Sequence, residues 1–151
     1  MRAVVDANIL LSALLKDSIT RKPLLDPRHS FLAPEHLLVE FSRHLQTDRE
    51  CAKKIKVGKE QAQQVAGSLL AALTAVPEKE YAAFLPQALR LAAHGEDAPY
   101  LALALARKLP LWSYDKGFRK QHRVKVLSVS DLLAGAVPAK PIRYVFPPST
   151  L

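Results

Sequence analysis

Cysteine is nearly missing from this chain: among 151 residues, only Cys51 carries a thiol. One cysteine cannot close an internal disulfide and has no second cysteine with which to share a zinc site, so a disulfide framework is excluded and a reducing compartment is expected. Long apolar runs are also missing. The longest, around Leu69–Val76 and Ala98–Ala106, fall well short of the ~18 residues of a membrane-spanning helix, so no integral membrane protein is expected. The opening Met1-Arg2-Ala3-Val4-Val5 reaches Asp6 before any continuous apolar stretch or small-residue cleavage site has formed. It does not read as a secretory signal, and the expected location is cytoplasmic. No internal repeat is found.

Acidic residues are the minority charge. Lys and Arg number 22 against 14 Asp and Glu, giving a net charge of +8 and a pI near 9.8. Such a surface favours polyanions through steering and counterion release, although surface lysines that serve only solubility would produce the same count. With 49% apolar and 24% charged residues, the composition is that of an ordinary globular protein, and the length suits one hydrophobic core. The expected organisation is one domain over residues 1–137 and a Pro-rich tail over 138–151, where Pro138, Pro141, Pro147 and Pro148 alternate with Ile142, Tyr144, Val145 and Phe146.

Strands and helices alternate along the chain. Arg2–Asp6 is a short β-branched run, and apolar residues recur at helical spacing from Asn8 to Leu15. A polar, proline-containing stretch, Lys16–His29, leads to a second strand, Ser30–Ala33, closed by Pro34. From Glu35 to about Lys56, Leu37, Leu38, Phe41 and Leu45 make the apolar stripe of an amphipathic helix, with Glu40 on its flank. Further helices are predicted over Glu60–Ala75, Tyr81–Ala93 and Asp97–Lys108, the last with Pro99 in its first turn. Strands follow at Leu109–Tyr114 and Val124–Leu127, and a short helix over Asp131–Ala136 is begun by Ser130 or Asp131. This alternation predicts an α/β domain whose mostly parallel sheet is covered on both faces.

Ligands of such sheets bind beyond the carboxyl ends of the strands. Asp6 and Asp115 each stand at such an end, Asp97 opens a helix, and Glu40 flanks an apolar stripe that could tuck its carboxyl beside the sheet. Four converging carboxylates repel one another unless protonated or joined by a cation, and a hard divalent ion such as Mg²⁺ accepts oxygen ligands of this kind. Such an ion supports phosphodiester hydrolysis. Each acid also has a purely structural alternative: Asp6 and Asp97 as helix caps, Glu40 as a solvated helix residue, Asp115 as the start of a turn.

Taken together, these residues resemble the PIN-domain family, with matching motifs spread from Val4 to about Leu133. Val4-Val5-Asp6-Ala7-Asn8-Ile9-Leu10 looks like the family's opening strand and first acid, with Asn8 two residues on. Glu40 stands where the second acid is placed, and Asp97, followed by Leu101-Ala102-Leu103-Ala104, is similar to the third. Ser113-Tyr114-Asp115-Lys116-Gly117-Phe118 resembles the final motif, a hydroxyl residue two before an Asp and a Phe three after it. The resemblance implies a five-stranded parallel sheet flanked by helices, Mg²⁺ or Mn²⁺ dependence, RNA as substrate and frequent homodimers. Many small members are VapC-type toxins with a cognate antitoxin, and the Pro-rich tail and long middle helices are departures from the smallest of them.

Beside the acids, Lys116, Arg119, Lys120, Arg123 and Lys125 form a basic run suited to RNA phosphates or to a solvated face, and Lys53, Lys54, Lys56 and Lys59 form a second. Ser113 could hydrogen-bond an acid or a metal-bound water, or be an ordinary strand residue. His94 and His122 lie outside the matched motifs. The leading expectation is a metal-dependent endoribonuclease. Its rivals are a non-catalytic RNA-binding or partner-binding module on the same fold, and a phosphatase or receiver-like protein, against which Asn8 rather than a second Asp stands two residues after Asp6.

Overall fold

The computed structural model describes residues 1–15, 18–47 and 59–136. Its centre is a five-stranded sheet built from β1 (Arg2–Val5), β2 (Ser30–Pro34), β3 (Leu73–Val76), β4 (Leu111–Trp112) and β5 (Val126–Leu127). The strand order is β3-β2-β1-β4-β5, and every pairing is parallel. The helices are α1 (Ala7–Leu15), α2 (Ser18–Leu25), α3 (Glu35–Thr47), α4 (Lys59–Ala71), α5 (Leu85–Leu91), α6 (Ala98–Arg107) and α7 (Val129–Ala136). The expected α/β architecture with a parallel five-stranded sheet is therefore what the chain adopts.

Side chains alternate across each strand, which divides the core in two. Ala3, Val5, Phe31, Ala33 and Trp112 join Ile9, Leu10, Leu24, Leu69 and Leu132 on one face, under α1, α2, α4 and α7. Val4, Leu32, Val76 and Leu111 meet Tyr81, Ala88, Leu101 and Leu103 on the other, under α5 and α6. Strands buried on both faces read as near-continuous apolar runs, which Ala3-Val4-Val5 and Phe31-Leu32-Ala33 are. β1 lies between β2 and β4, so chain order reverses there and a crevice opens at the carboxyl ends of β1 and β4.

Several local expectations change. The stretch after Lys16 contains α2 with Pro23 inside it. The lost N–H is outweighed by burial of Thr20 and Leu24, and Arg21 donates from its guanidinium to the carbonyls of Ala13 and Leu14, tying the end of α1 to α2. The helix predicted over Glu60–Ala75 stops at Ala71, and Leu73–Val76 instead pairs with β2 in the register Phe31↔Leu73 to Pro34↔Val76. Sheet pairing overrides the helix propensity of those residues. The helix predicted over Tyr81–Ala93 is broken into a 3-10 turn at Ala82–Phe84 and α5, where Pro86 suits a first turn. The last helix starts at Val129, and its cap is Ser128 rather than Ser130 or Asp131: Ser128 Oγ accepts from Asp131 N (3.2 Å) and Asp131 Oδ2 accepts from Ser128 N (2.8 Å). Cys51, Lys53, Lys54, Lys56, the predicted helix beyond Thr47 and the Pro-rich tail lie outside the described residues.

Candidate metal centre

Asp6 follows β1 directly and is 3% exposed. One carboxylate oxygen accepts from Ile9 N (3.1 Å), capping α1, and the other accepts from the Ser113 hydroxyl. Asp6 is therefore a cap and a buried acid at once, because capping occupies one oxygen and leaves lone pairs on the second. Ser113, buried just past β4, also accepts from Asp115 N at 2.9 Å, so one hydroxyl joins the loops that end β1 and β4. Asp115 Oδ1 in turn accepts from Gly117 N (2.8 Å) and opens the 3-10 turn Lys116–Lys120. A Cβ at Gly117 would come within 3.2 Å of that oxygen, so glycine permits this tight return.

Asp97 occupies the cap position of α6, its side chain makes no capping hydrogen bond, and it feels the charge of Asp115. Tyr100 sits three residues on, one turn along α6, with its ring buried and its hydroxyl accepting from Ala7 N at 3.1 Å.

The electrostatics tie these groups together. Burial raises the Asp6 carboxyl to about 6, against the lowering effect of its Ser113 and Ile9 hydrogen bonds, and the Asp115 charge adds to the rise. Asp97 is raised first by burial and then by Asp115. The Tyr100 phenol is raised by burial and further by the negative field of Asp6, Asp97 and Glu40. Glu40 itself is exposed on α3, so the expectation that its carboxyl is tucked beside the sheet does not hold. Asn8 is exposed in the first turn of α1, and Lys116, Arg119 and Lys120 are exposed on the turn that Asp115 begins.

These residues fit a hard divalent cation. The donors are carboxylate and hydroxyl oxygens, and the ion pairs Arg28–Asp26 and Arg107–Glu80 lie elsewhere. Among the described residues, no three His, Cys, Asp or Glu side chains already form a group able to hold a metal. Mg²⁺ tolerates this, since it keeps several waters and is commonly held by one or two carboxylates plus substrate phosphate.

The model of the PIN domain matches residues 4–129, a span running from β1 to the start of α7. The chain belongs to the PIN domain family. Three solved structures share the fold of this PIN chain. VapBC2 from Rickettsia felis, bound to a promoter DNA fragment, superposes with a TM-score of 0.63 at 17% identity, covering 85% of this chain and 98% of that one. PAE2754 from Pyrobaculum aerophilum gives 0.63 at 18% identity, covering 89% and 88%. A toxin–antitoxin complex from Klebsiella pneumoniae gives 0.57 at 17% identity, covering 84% and 97%. No curated protein matches the PIN chain.

Two residues that support the candidate site were not singled out from sequence: Tyr100, beside Asp6, and Gln121, in the loop after Asp115. Tyr100 was readable as the neighbour of Asp97 on one helix face, three residues on. Gln121, which is buried and organises the loop after Asp115, left no signal, because its partners are backbone atoms.

Proposed function

We propose that this PIN chain is a divalent-metal-dependent endoribonuclease that hydrolyses RNA phosphodiester bonds. The observation that carries this reading is the coupled pair of loops at the carboxyl ends of β1 and β4, where buried Asp6, with its carboxyl near 6, and Asp115 share Ser113. Carboxylates destabilised by burial and by one another favour cation binding, since a cation removes both penalties.

Asp6 and Asp115 would hold Mg²⁺ or Mn²⁺, with Asp97 and Glu40 completing the acidic rim through water. The bound ion supplies a more acidic water and neutralises charge that builds on the leaving oxygen. Ser113 fixes the Asp6 carboxylate, and Tyr100 fixes the first turn of α1 on which Asp6 acts as cap. Asn8, exposed in the first turn of α1, would add a polar side chain beside that cap. Lys116, Arg119 and Lys120 would bind the phosphates flanking the scissile bond.

The toxin role, with an antitoxin partner, is supported by the likeness to the Klebsiella toxin–antitoxin complex. Homodimerisation follows the family resemblance. No described helix is long and apolar enough to cross a membrane, and a cytoplasmic site of action suits an RNA substrate.

The test incubates labelled RNA with the protein and Mg²⁺ or Mn²⁺. Cleavage that EDTA abolishes and that Asp6→Asn lowers by at least a hundredfold is the expected result. Metal-independent RNA binding without cleavage would instead support a non-catalytic binding module.

A further inference from the structure

Tyr114 lies in the chain between Ser113 and Asp115 and is 42% exposed. The side chain is nevertheless held at both ends. Its hydroxyl is 2.7 Å from Oγ1 of Thr20, which is fully buried, and its ring stands edge-on to buried Trp112, with centroids 6.4 Å apart at 87°. The adjoining residues are Asp115 of the candidate centre and the exposed Lys116, with Arg119 and Lys120 on the same turn.

We infer that Tyr114 is a stacking platform for one unpaired base of the RNA, next to the phosphate held at the acid rim. The inference rests on the endoribonuclease reading and adds to it a specificity residue. Aromatic side chains beside a basic track bind single strands by stacking, which tolerates any base because each has a π-face. A ring already immobilised loses little conformational freedom when a base settles on it. Tyr114 and the cationic turn Lys116–Lys120 follow one another along the chain, which matches a nucleotide's alternation of base and phosphate. Such a platform cannot engage a base that is stacked within a duplex, so it selects for loops and ends.

The test measures binding of a short single-stranded RNA in the Asp6→Asn background, with cleavage by the otherwise unchanged protein followed in parallel. Tyr114→Phe keeps the ring, whereas Tyr114→Leu keeps apolar volume but loses the π-face. Expected are near-unchanged binding for Phe and binding roughly five- to a hundredfold weaker for Leu and for Tyr114→Ala. An oligonucleotide carrying a single abasic position is then moved along the sequence. At one position it should lose a similar factor with Tyr114 present and nothing further with Leu, a coupling that misfolding would not produce. Equal binding by all variants, with RNA still cleaved by the unsubstituted protein, overturns the platform alone. Absence of both binding and cleavage in the unsubstituted protein overturns the platform together with the ribonuclease reading.

Discussion

At the scale of single residues, the decisive property is where the negative charge of Asp6 can be tolerated. Its carboxyl rises from an ordinary 3.8 to about 6 on folding, so the folded protein holds the proton more tightly than the unfolded chain. For such a group the destabilising contribution is fully present above about pH 6 and disappears as pH falls towards 4; at neutral pH it amounts to about 3 kcal/mol in the metal-free protein. Lowering pH from 7 to 5 should therefore relieve this strain, while Mg²⁺ should raise the melting temperature at pH 7.5 and do so much less at pH 5, where protons compete for the same oxygens. Calorimetry with and without Mg²⁺ checks both, and an unchanged Mg²⁺ effect at pH 5 would rule out Asp6 as a ligand. Ser113→Ala removes the donor that holds the Asp6 charge and the acceptor for Asp115 N. It should cost about 1–3 kcal/mol in denaturant unfolding and move the acid limb of the cleavage profile to higher pH, with Ser113→Thr restoring both. Tyr100→Phe leaves the Ala7 N–H without its acceptor, and a loss of similar size, about 1–3 kcal/mol, is expected in the same unfolding measurement.

At the scale of elements, what was legible in the sequence follows the range of the interaction that decides each feature. β1, β2 and α6 are written in local patterns, and Asp6, Asp97 and Asp115 stand out because each closes an apolar run or opens a helix. β3 was not legible, because Leu73–Val76 becomes a strand only through pairing with β2, some forty residues earlier in the chain. The α2 helix was hidden behind Pro23, which local rules treat as a breaker, whereas its formation depends on Thr20 and Leu24 packing under neighbouring helices. Glu40 was located on the correct helix, but its exposure depends on how α3 lies on the sheet, and no periodicity encodes that. The loop after Asp115 shows the same limit. Gln121 donates from Nε2 to the carbonyls of Phe118 and Val124 (2.8 Å each) and accepts at Oε1 from the N–H groups of Arg123 (2.9 Å) and Val124 (2.8 Å). One side chain thus replaces the secondary structure that residues 121–124 lack. Gln121→Leu would strand these backbone groups in a partly buried loop, and a destabilisation on the order of 3 kcal/mol is expected, with faster amide exchange at Arg123 and Val124 in hydrogen-exchange measurements.

Across the whole molecule, charge is distributed unevenly with respect to the sheet. The net charge is +8, yet the crevice at the carboxyl ends of β1 and β4 holds Asp6, Asp97 and Asp115, with Lys116, Arg119 and Lys120 placed on the turn immediately outside it. On the proposed ribonuclease reading, an anionic polymer would be repelled by the acids and attracted by their border, so that without a cation the backbone would settle on the rim and would reach the centre only once the acids are neutralised. Two measurable consequences separate. Affinity for a single strand should fall with salt because each phosphate contact releases condensed counterions, whereas cleavage should depend on the divalent ion even when the RNA is already bound. Alanine at Lys116, Arg119 or Lys120 should each reduce the slope of log affinity against log salt by about 0.7, the value for one lost contact to a single strand. Arg2→Ala supplies the control, since Arg2 is exposed at the amino end of β1, at the far end of that strand from Asp6, and should leave the slope unchanged. Should Arg2→Ala flatten the slope as much as Lys120→Ala does, the RNA would be bound by the overall charge of the molecule, and the basic turn would have no special part in presenting it to the acids.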